Sequence, residues 1–174
     1  EAKILKQLNH PNIIKYKDLF ITKSERMYIV MEYADGGDLA TYILQQSKRG
    51  QIPETVVVDL FTQICLAVKY MHDNKIVHRD IKSSNIFLTS MGVIKIGDFG
   101  ISSWLNKTNG FMKSFCGTPL YLSPEIIRKQ PYNYKTDIWS LGVVLYELCT
   151  FKQPFKAHIN DQREVERKIL RRDY

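Results

Sequence analysis

The sequence predicts an α+β fold, and three patterns point to it. Short apolar runs at 13–21 and 27–33 flank a polar turn at Thr22-Lys23-Ser24-Glu25-Arg26, which reads as a strand pair. A second pair, at 86–88 and 93–96, encloses Thr89-Ser90-Met91-Gly92 and reads as a hairpin with glycine in its turn. Two longer stretches, 53–72 and 138–149, carry their apolar residues on a helical face or nearly all round.

The elements follow in order. Residues 1–8 place Ile4, Leu5 and Leu8 at helical spacing, and Asn9-His10-Pro11-Asn12 ends the run because proline disfavours helix in the residue before it. After the first strand pair, Gly36 and Gly37 break the chain and mark a linker. A short helix is expected over 38–46 and a polar loop over 47–51. Over 53–72, Val57, Leu60, Phe61, Ile64, Ala67, Val68 and Met71 share one face, with Pro53 and Glu54 suited to the first turn. This stripe is core. The 101–117 stretch is long for a connection in a compact domain, which is usually a sign of function or mobility. The 138–149 helix is apolar enough to be buried, with Trp139 in the core. A basic helix begins at 163, with Val165, Ile169 and Leu170 facing inward.

The chain has 174 residues, 44% hydrophobic and 25% charged, ordinary for a folded protein and enough for one domain or two small lobes. Its formal net charge is +7. The basic residues are scattered except over 163–172, with no basic stripe interleaved with aromatics, so nucleic acid is not an expected partner. The charge reads as attraction toward acidic partners or phosphate. Cys65, Cys116 and Cys149 are odd in number and far apart, a pattern of reduced thiols rather than of disulfides or a zinc site. No apolar run approaches the roughly 18 residues of a membrane span, and no membrane partner is expected. The chain starts with Glu1 and stops inside a helical pattern, so a piece of a longer protein is expected.

The chemistry concentrates in 76–100. His78-Arg79-Asp80 is followed by Lys82, then Asn85, and the hairpin leads to Asp98-Phe99-Gly100. A hairpin folds its ends together, so Asn85 and Asp98 should face one spot although thirteen residues separate them. Each motif alone is an ordinary turn or a solvated charge; both together, with Asn85 at its offset, are not. Asn85 and Asp98 offer the oxygen ligands that Mg²⁺ prefers. Lys82 is a compact point charge with three donors, and Asp80 can orient a hydroxyl and take its proton.

This stretch resembles the catalytic loop and metal-binding Asp-Phe-Gly of the eukaryotic protein kinases. The resemblance covers essentially the whole chain. It implies a truncated two-lobe kinase-like fold, with 1–33 a remnant of the N-terminal lobe and 34–174 an incomplete C-terminal lobe. It implies transfer of the γ-phosphate of ATP to a protein serine or threonine, with Asp80, Lys82, Asn85, Asp98 and Thr118 catalytic. Mg²⁺ would be held by Asn85 and Asp98. Glu32, Ala34, Asp38 and Phe87 would line the nucleotide site together with Lys82, Asn85 and Asp98. Met31 matches the gatekeeper and Glu1 the ion-pair glutamate, whose lysine partner and glycine-rich loop lie outside the sequence. The 101–117 loop matches the activation loop, with Ser114 as its phosphate carrier in preference to Ser102, Ser103 or Thr108, and Arg79 as the cation that receives the phosphate. Asp137 would brace the catalytic loop. Gly117 to Glu125, with Ser123-Pro124-Glu125 for the usual Ala-Pro-Glu, matches the substrate-docking segment.

Lys82 and Thr118 point to the serine/threonine class. The wording Asn85-Ile86-Phe87-Leu88-Thr89 and Tyr146-Glu147-Leu148-Cys149-Thr150 is similar to the NIMA-related kinases. That likeness implies a cell-cycle, centrosomal or ciliary regulator acting in the cytoplasm or nucleus. Dimerisation or scaffolding through flanking regions stays open. A pseudokinase scaffold is the alternative, since 1–174 by itself lacks the glycine-rich loop and is expected to be inactive. The retained Asp80, Asn85 and Asp98 speak against it for the whole protein. A small-molecule phosphotransferase would lack the docking segment.

Overall fold

In the computed structural model, which describes residues 2–100, 102–104, 117–156 and 161–174, the chain runs α1 (Ala2–Leu5), β1 (Tyr16–Ile21), β2 (Met27–Met31), α2 (Leu39–Ser47) and α3 (Glu54–Asp73). It continues through β3 (Ile76–Val77), β4 (Ile86–Leu88), β5 (Ile94–Ile96), β6 (Ser103–Trp104), α4 (Pro124–Ile127), α5 (Lys135–Thr150) and α6 (Gln162–Arg171). Among the described residues the strands form three antiparallel pairs, β1 with β2, β3 with β6, and β4 with β5.

The α3 stripe sets the packing. Val57, Leu60, Ile64, Ala67, Val68 and Met71 are buried, while Val58 and Leu66 on the opposite face are exposed. That face meets α5, β3 and β5, so the helix lies under both the start of the 76–100 stretch and its hairpin. Asn74 and Lys75 end it, Lys75 in the left-handed region at φ 61°, and the chain reverses into β3.

The first strand is shorter than the 13–21 run suggests, for a reason outside that run. Residues 12–14 pair with the hairpin instead: Ile14 N–H donates to Ile96 O at 2.8 Å and Ile96 N–H to Asn12 O at 2.9 Å. The Asn12 side chain donates to Gln63 Oε1 and Ile94 O, and Gln63 Oε1 also accepts from Ile94 N–H. A polar knot thus joins the N-terminal segment, α3 and β5.

The central helix begins at Lys135, three residues before its expected start, and is less uniformly buried than its composition suggests. Ile138 stays 47% exposed, whereas the polar Thr136, Asp137, Ser140 and Glu147 are buried. Trp139 is half-buried and stacks on Phe155. In α6, Val165 and Ile169 are buried and Leu170 is half-buried.

The linker glycines have different reasons. Gly37 has φ 78°, and a Cβ on Gly36 would stand 2.8 Å from Leu88 O. Gly36 N–H donates to Leu88 O and Leu88 N–H to Gly37 O, both at 2.8 Å, so the linker is stitched to β4.

Ile64→Ala should cost about 2–5 kcal/mol of unfolding free energy, because the site is fully buried. Val58→Ala, earlier in the same helix on the exposed face, should stay within about 0.5 kcal/mol. Urea titration of both variants checks this; equal losses would contradict the assigned faces.

Candidate active site

Strand β3 is buried at both residues, which fixes where the chain enters the catalytic stretch. The next residues are held from the side by Asp137, in the first turn of α5. Its fully buried carboxylate accepts from His78 N–H at 3.0 Å, Arg79 N–H at 2.9 Å and His72 Nε2 at 2.8 Å. Arg79 stands at φ 70°, a left-handed conformation that a non-glycine residue holds only when its surroundings impose it. Two of those three donors are the N–H groups flanking this turn. The brace expected of Asp137 is present.

Asp80 follows, half-buried, with its carboxylate saturated by neighbours. Oδ2 accepts from Lys82 Nζ at 2.7 Å and Asn85 Nδ2 at 3.0 Å. Oδ1 accepts from the Thr118 hydroxyl at 2.7 Å and Thr118 N–H at 3.2 Å. Lys82 Nζ also donates to Thr118 Oγ1 at 2.9 Å, closing a ring of three side chains. Burial pushes the Asp80 carboxyl up, but the bonds from Lys82 and Thr118, the Lys82 charge and the Asn85 bond outweigh it. They hold the carboxyl below its ordinary value. Asp80 is therefore an ionised acceptor at neutral pH.

The hairpin brings the remaining pair together as its register requires. Ile86 faces Ile96, and Gly97 N–H donates to Asn85 O at 3.0 Å, so Asp98 emerges beside Asn85. Asn85 spends its amide donor on Asp80, on both Oδ2 and the backbone carbonyl, which leaves Oδ1 as the end open to a cation. Asp98 is exposed at φ 57°, while Phe99 beside it is buried against the His78 ring, with centroids 5.0 Å apart.

His78 joins these two halves, and sequence reading gave it no role of its own. Its Nε2 lies 3.0 Å from Gly97 O and must donate; its Nδ1 accepts from Asp80 N–H at 3.3 Å. One tautomer of the neutral ring satisfies both. Burial is the largest influence on the ring and lowers its pKa, against the raising influence of Asp137, Gly97 O, Asp80 and Asp98.

Comparison with known proteins decides what the arrangement belongs to. The protein kinase domain matches residues 1–172. The chain belongs to the protein kinase family. It is 52% identical over 157 residues to the mouse serine/threonine-protein kinase Nek1, covering 90% of this chain and 13% of that protein. It is 50% identical over 160 residues to human Nek5 and 44% identical over 176 to human Nek2, covering 22% and 39% of those proteins. The chain thus spans well under half the length of these relatives.

The other expected kinase residues fall as follows. Glu32 follows β2 and spends its side chain on two neighbours: Oε1 pairs with Lys95 Nζ at 2.7 Å and Oε2 accepts from Lys15 N–H at 3.1 Å. Ala34 is buried, and among the described residues nothing hydrogen-bonds its backbone. Asp38 caps α2, its Oδ1 accepting from Thr41 N–H and its Oδ2 from the Thr41 hydroxyl; the helix starts one residue after it. Phe87 lays its ring against Gly97, where a Cβ would come within 2.8 Å of it. Arg79 reaches Tyr132 with its guanidinium. Ser114 and Glu1 lie outside the described residues.

Sequence reading also missed Ser83, Tyr121 and Glu147, which form a buried hydrogen-bonded chain. Their separations of 26 and 38 residues leave no local signal.

The folded state favours neutral His78, so its contribution is present above the usual value of 6.5 and is lost as pH falls through and below it. Stability measured by urea unfolding should decline from about pH 7 to about pH 5.5. His78→Phe, though less stable throughout, should show a shallower decline. An unchanged slope in the variant would assign the acid sensitivity elsewhere.

Proposed function

We propose that this chain is the catalytic part of an ATP-dependent protein serine/threonine kinase. The observation that carries the reading is the Asp80 carboxylate, ionised and aimed by Lys82, Asn85 and Thr118. Phosphoryl transfer asks the protein mainly for position and charge. Asp80 has the geometry to accept the hydrogen bond of a substrate hydroxyl and draw off its proton. Lys82, already within reach of Asp80 and Thr118, carries the charge to stabilise the transferred phosphoryl group. Thr118, at the head of the docking segment, fixes the orientation of Asp80 and with it the acceptor.

The donor set fits Mg²⁺. Asn85 Oδ1 and the exposed Asp98 carboxylate are hard oxygen donors, and no group of three or more His, Cys, Asp or Glu that could hold a metal occurs among the described residues. Few protein ligands suit an ion that keeps the rest of its shell for nucleotide phosphates and water. When bound, Mg²⁺ neutralises phosphate charge; the chain's part is to present Asn85 and Asp98 from the two ends of one hairpin. The Ala34 backbone, without a hydrogen bond among the described residues, suits an adenine edge, and the linker at 34–37 is read as the hinge between 1–33 and 34–174.

The relatives' names, all of serine/threonine-protein kinases, and the lysine at position 82 support protein serine or threonine as the acceptor. Gly117 to Glu125 supports a protein rather than a small molecule. The likeness to NIMA-related kinases supports a regulatory role in the cytoplasm, at the centrosome or at the cilium.

The test is ATP-dependent labelling of casein by the full-length protein and its variants. Lys82→Ala should lower turnover about 10²–10³-fold, the range seen when one electrostatic donor is removed from an active site. Asp98→Asn should abolish the Mg²⁺-dependent reaction. Turnover within tenfold of wild type for Lys82→Ala, or undiminished for Asp98→Asn, would refute these roles.

A further inference from the structure

Arg163, Arg167 and Arg171 stand four residues apart on α6, and all three are exposed. In a helix each is turned about 40° from the last and rises about 6 Å, so they make one stripe roughly 12 Å long. The opposite face carries the buried Val165 and Ile169, which seat the helix. Like charges at this spacing work against the helix that bears them. Carboxylates are at hand to offset them, yet these are spent elsewhere. Glu164 pairs with Lys168 at 3.6 Å, Glu166 accepts from Gln162 Nε2 at 2.9 Å, and Asp161 caps the first turn by accepting from Arg163 N–H. Among the described residues no carboxylate forms an ion pair with any of the three guanidinium groups.

The place of the helix gives the stripe a direction to face. α6 packs against the Pro119–Tyr121 turn and α4, and these carry most of the 117–125 segment. The arginines therefore stand beside the part of the chain read as receiving the acceptor protein. They are no part of the ring of Asp80, Lys82 and Thr118.

We propose that Arg163, Arg167 and Arg171 form a docking stripe for an acidic segment of the protein substrate, apart from the residue that is phosphorylated. This rests on the kinase reading above. Arginine presents a planar fork of donors that fits a carboxylate with two hydrogen bonds, and it keeps its charge at every working pH. Alternate residues of an extended chain lie roughly 6.7 Å apart, close to the spacing of about 6 Å between successive arginines. A segment with acidic residues at every second position, three in all, therefore matches the stripe. Exposed pairs of this kind are individually weak, so the gain comes from three acting together and from steering of the encounter.

The experiment uses the full-length protein and two substrates: a serine peptide from casein joined by a Gly-Ser linker to Glu-Ala-Glu-Ala-Glu, and the same peptide ending in Gln-Ala-Gln-Ala-Gln. At low salt KM for the Glu peptide should be about three- to tenfold lower than for the Gln peptide, and the gap should close near 0.5 M salt. The triple variant Arg163→Gln, Arg167→Gln, Arg171→Gln should raise KM for the Glu peptide to that of the Gln peptide. Its KM for ATP and its kcat should stay within about twofold of wild type, and its melting temperature should not fall, since a repulsion has been removed. Arg167→Glu should reverse the preference toward a peptide ending in Lys-Ala-Lys-Ala-Lys. Equal KM values for the Glu and Gln peptides in the wild type overturn the proposal. So does a triple variant that loses both peptides equally, which would mark a structural role. Binding of a labelled RNA that the triple variant loses, with no preference between the peptides, would assign the stripe to nucleic acid and overturn it too. In each of these cases an active wild type keeps the kinase reading. A wild type that phosphorylates neither peptide removes that reading; anisotropy of a fluorescein-labelled Glu peptide then decides the stripe alone, and equal binding by wild type and triple variant overturns it.

Discussion

One buried carboxylate holds the catalytic geometry together. Asp137 has no exposed surface, and its two oxygens gather three donors from two separate segments. A buried charge is costly unless it is fully hydrogen-bonded, and here it is stabilised by the same bonds that position its neighbours. Its place in the first turn of α5 adds the favourable end of the helix dipole. The left-handed turn at Arg79 costs free energy on the order of 1–3 kcal/mol, and Asp137 holds the N–H groups of His78 and Arg79 that bound it. Without that turn, Asp80 would not point toward Thr118. The strain is local, and the restraint comes from 57 residues further along the chain than Asp80.

The charges around this brace are arranged so that few compete. Asp80 is satisfied by Lys82, which sits beside it, and by uncharged donors from Thr118 and Asn85. His78 lies buried among Asp80, Asp98 and Asp137, where an opposite charge would be attracted, yet burial keeps the ring neutral. Neutrality has a structural consequence. Only the neutral tautomer can donate to Gly97 O and accept from Asp80 N–H at once. The ring is thus a fixed strut between the segment that bears Asp80 and the segment that bears Asp98.

Much of this was legible before any coordinates. The α3 face is read from its 3–4 spacing, because one helix face packs against one core. Asn85 and Asp98 follow from the hairpin as its two flanks, because pairing Ile86 with Ile96 sets Gly97 N–H against Asn85 O. Other features left no trace in the local pattern. Strands β3 and β6 have two residues each, too few for alternation to show. Residues 13–14 look like the continuation of β1, but their hydrogen bonds go to β5, a choice settled by Asn12 and Gln63. Glu147 is one charged residue in a helix that is otherwise nearly all apolar, and its partners Tyr121 and Ser83 become visible only in the folded chain. Propensity and periodicity describe neighbours in sequence; these contacts are between neighbours in space.

The same hairpin that carries Asn85 and Asp98 also receives the linker, and this makes the two halves of the site one mechanical piece. Gly36 and Gly37 exchange backbone bonds with Leu88, and the absent Cβ on Gly36 is what permits the approach. On the opposite strand, Lys95 reaches Glu32, whose N–H bonds to Lys15. The segment before the linker is therefore tied to β5 and the linker itself to β4. Movement of either strand would shift Ala34 and the Asn85–Asp98 pair together. Under the proposed kinase reading, a hairpin gripped on both strands would hold a nucleotide's base and its phosphates at a fixed separation, because both ends of the ligand would be referred to the same six residues of sheet.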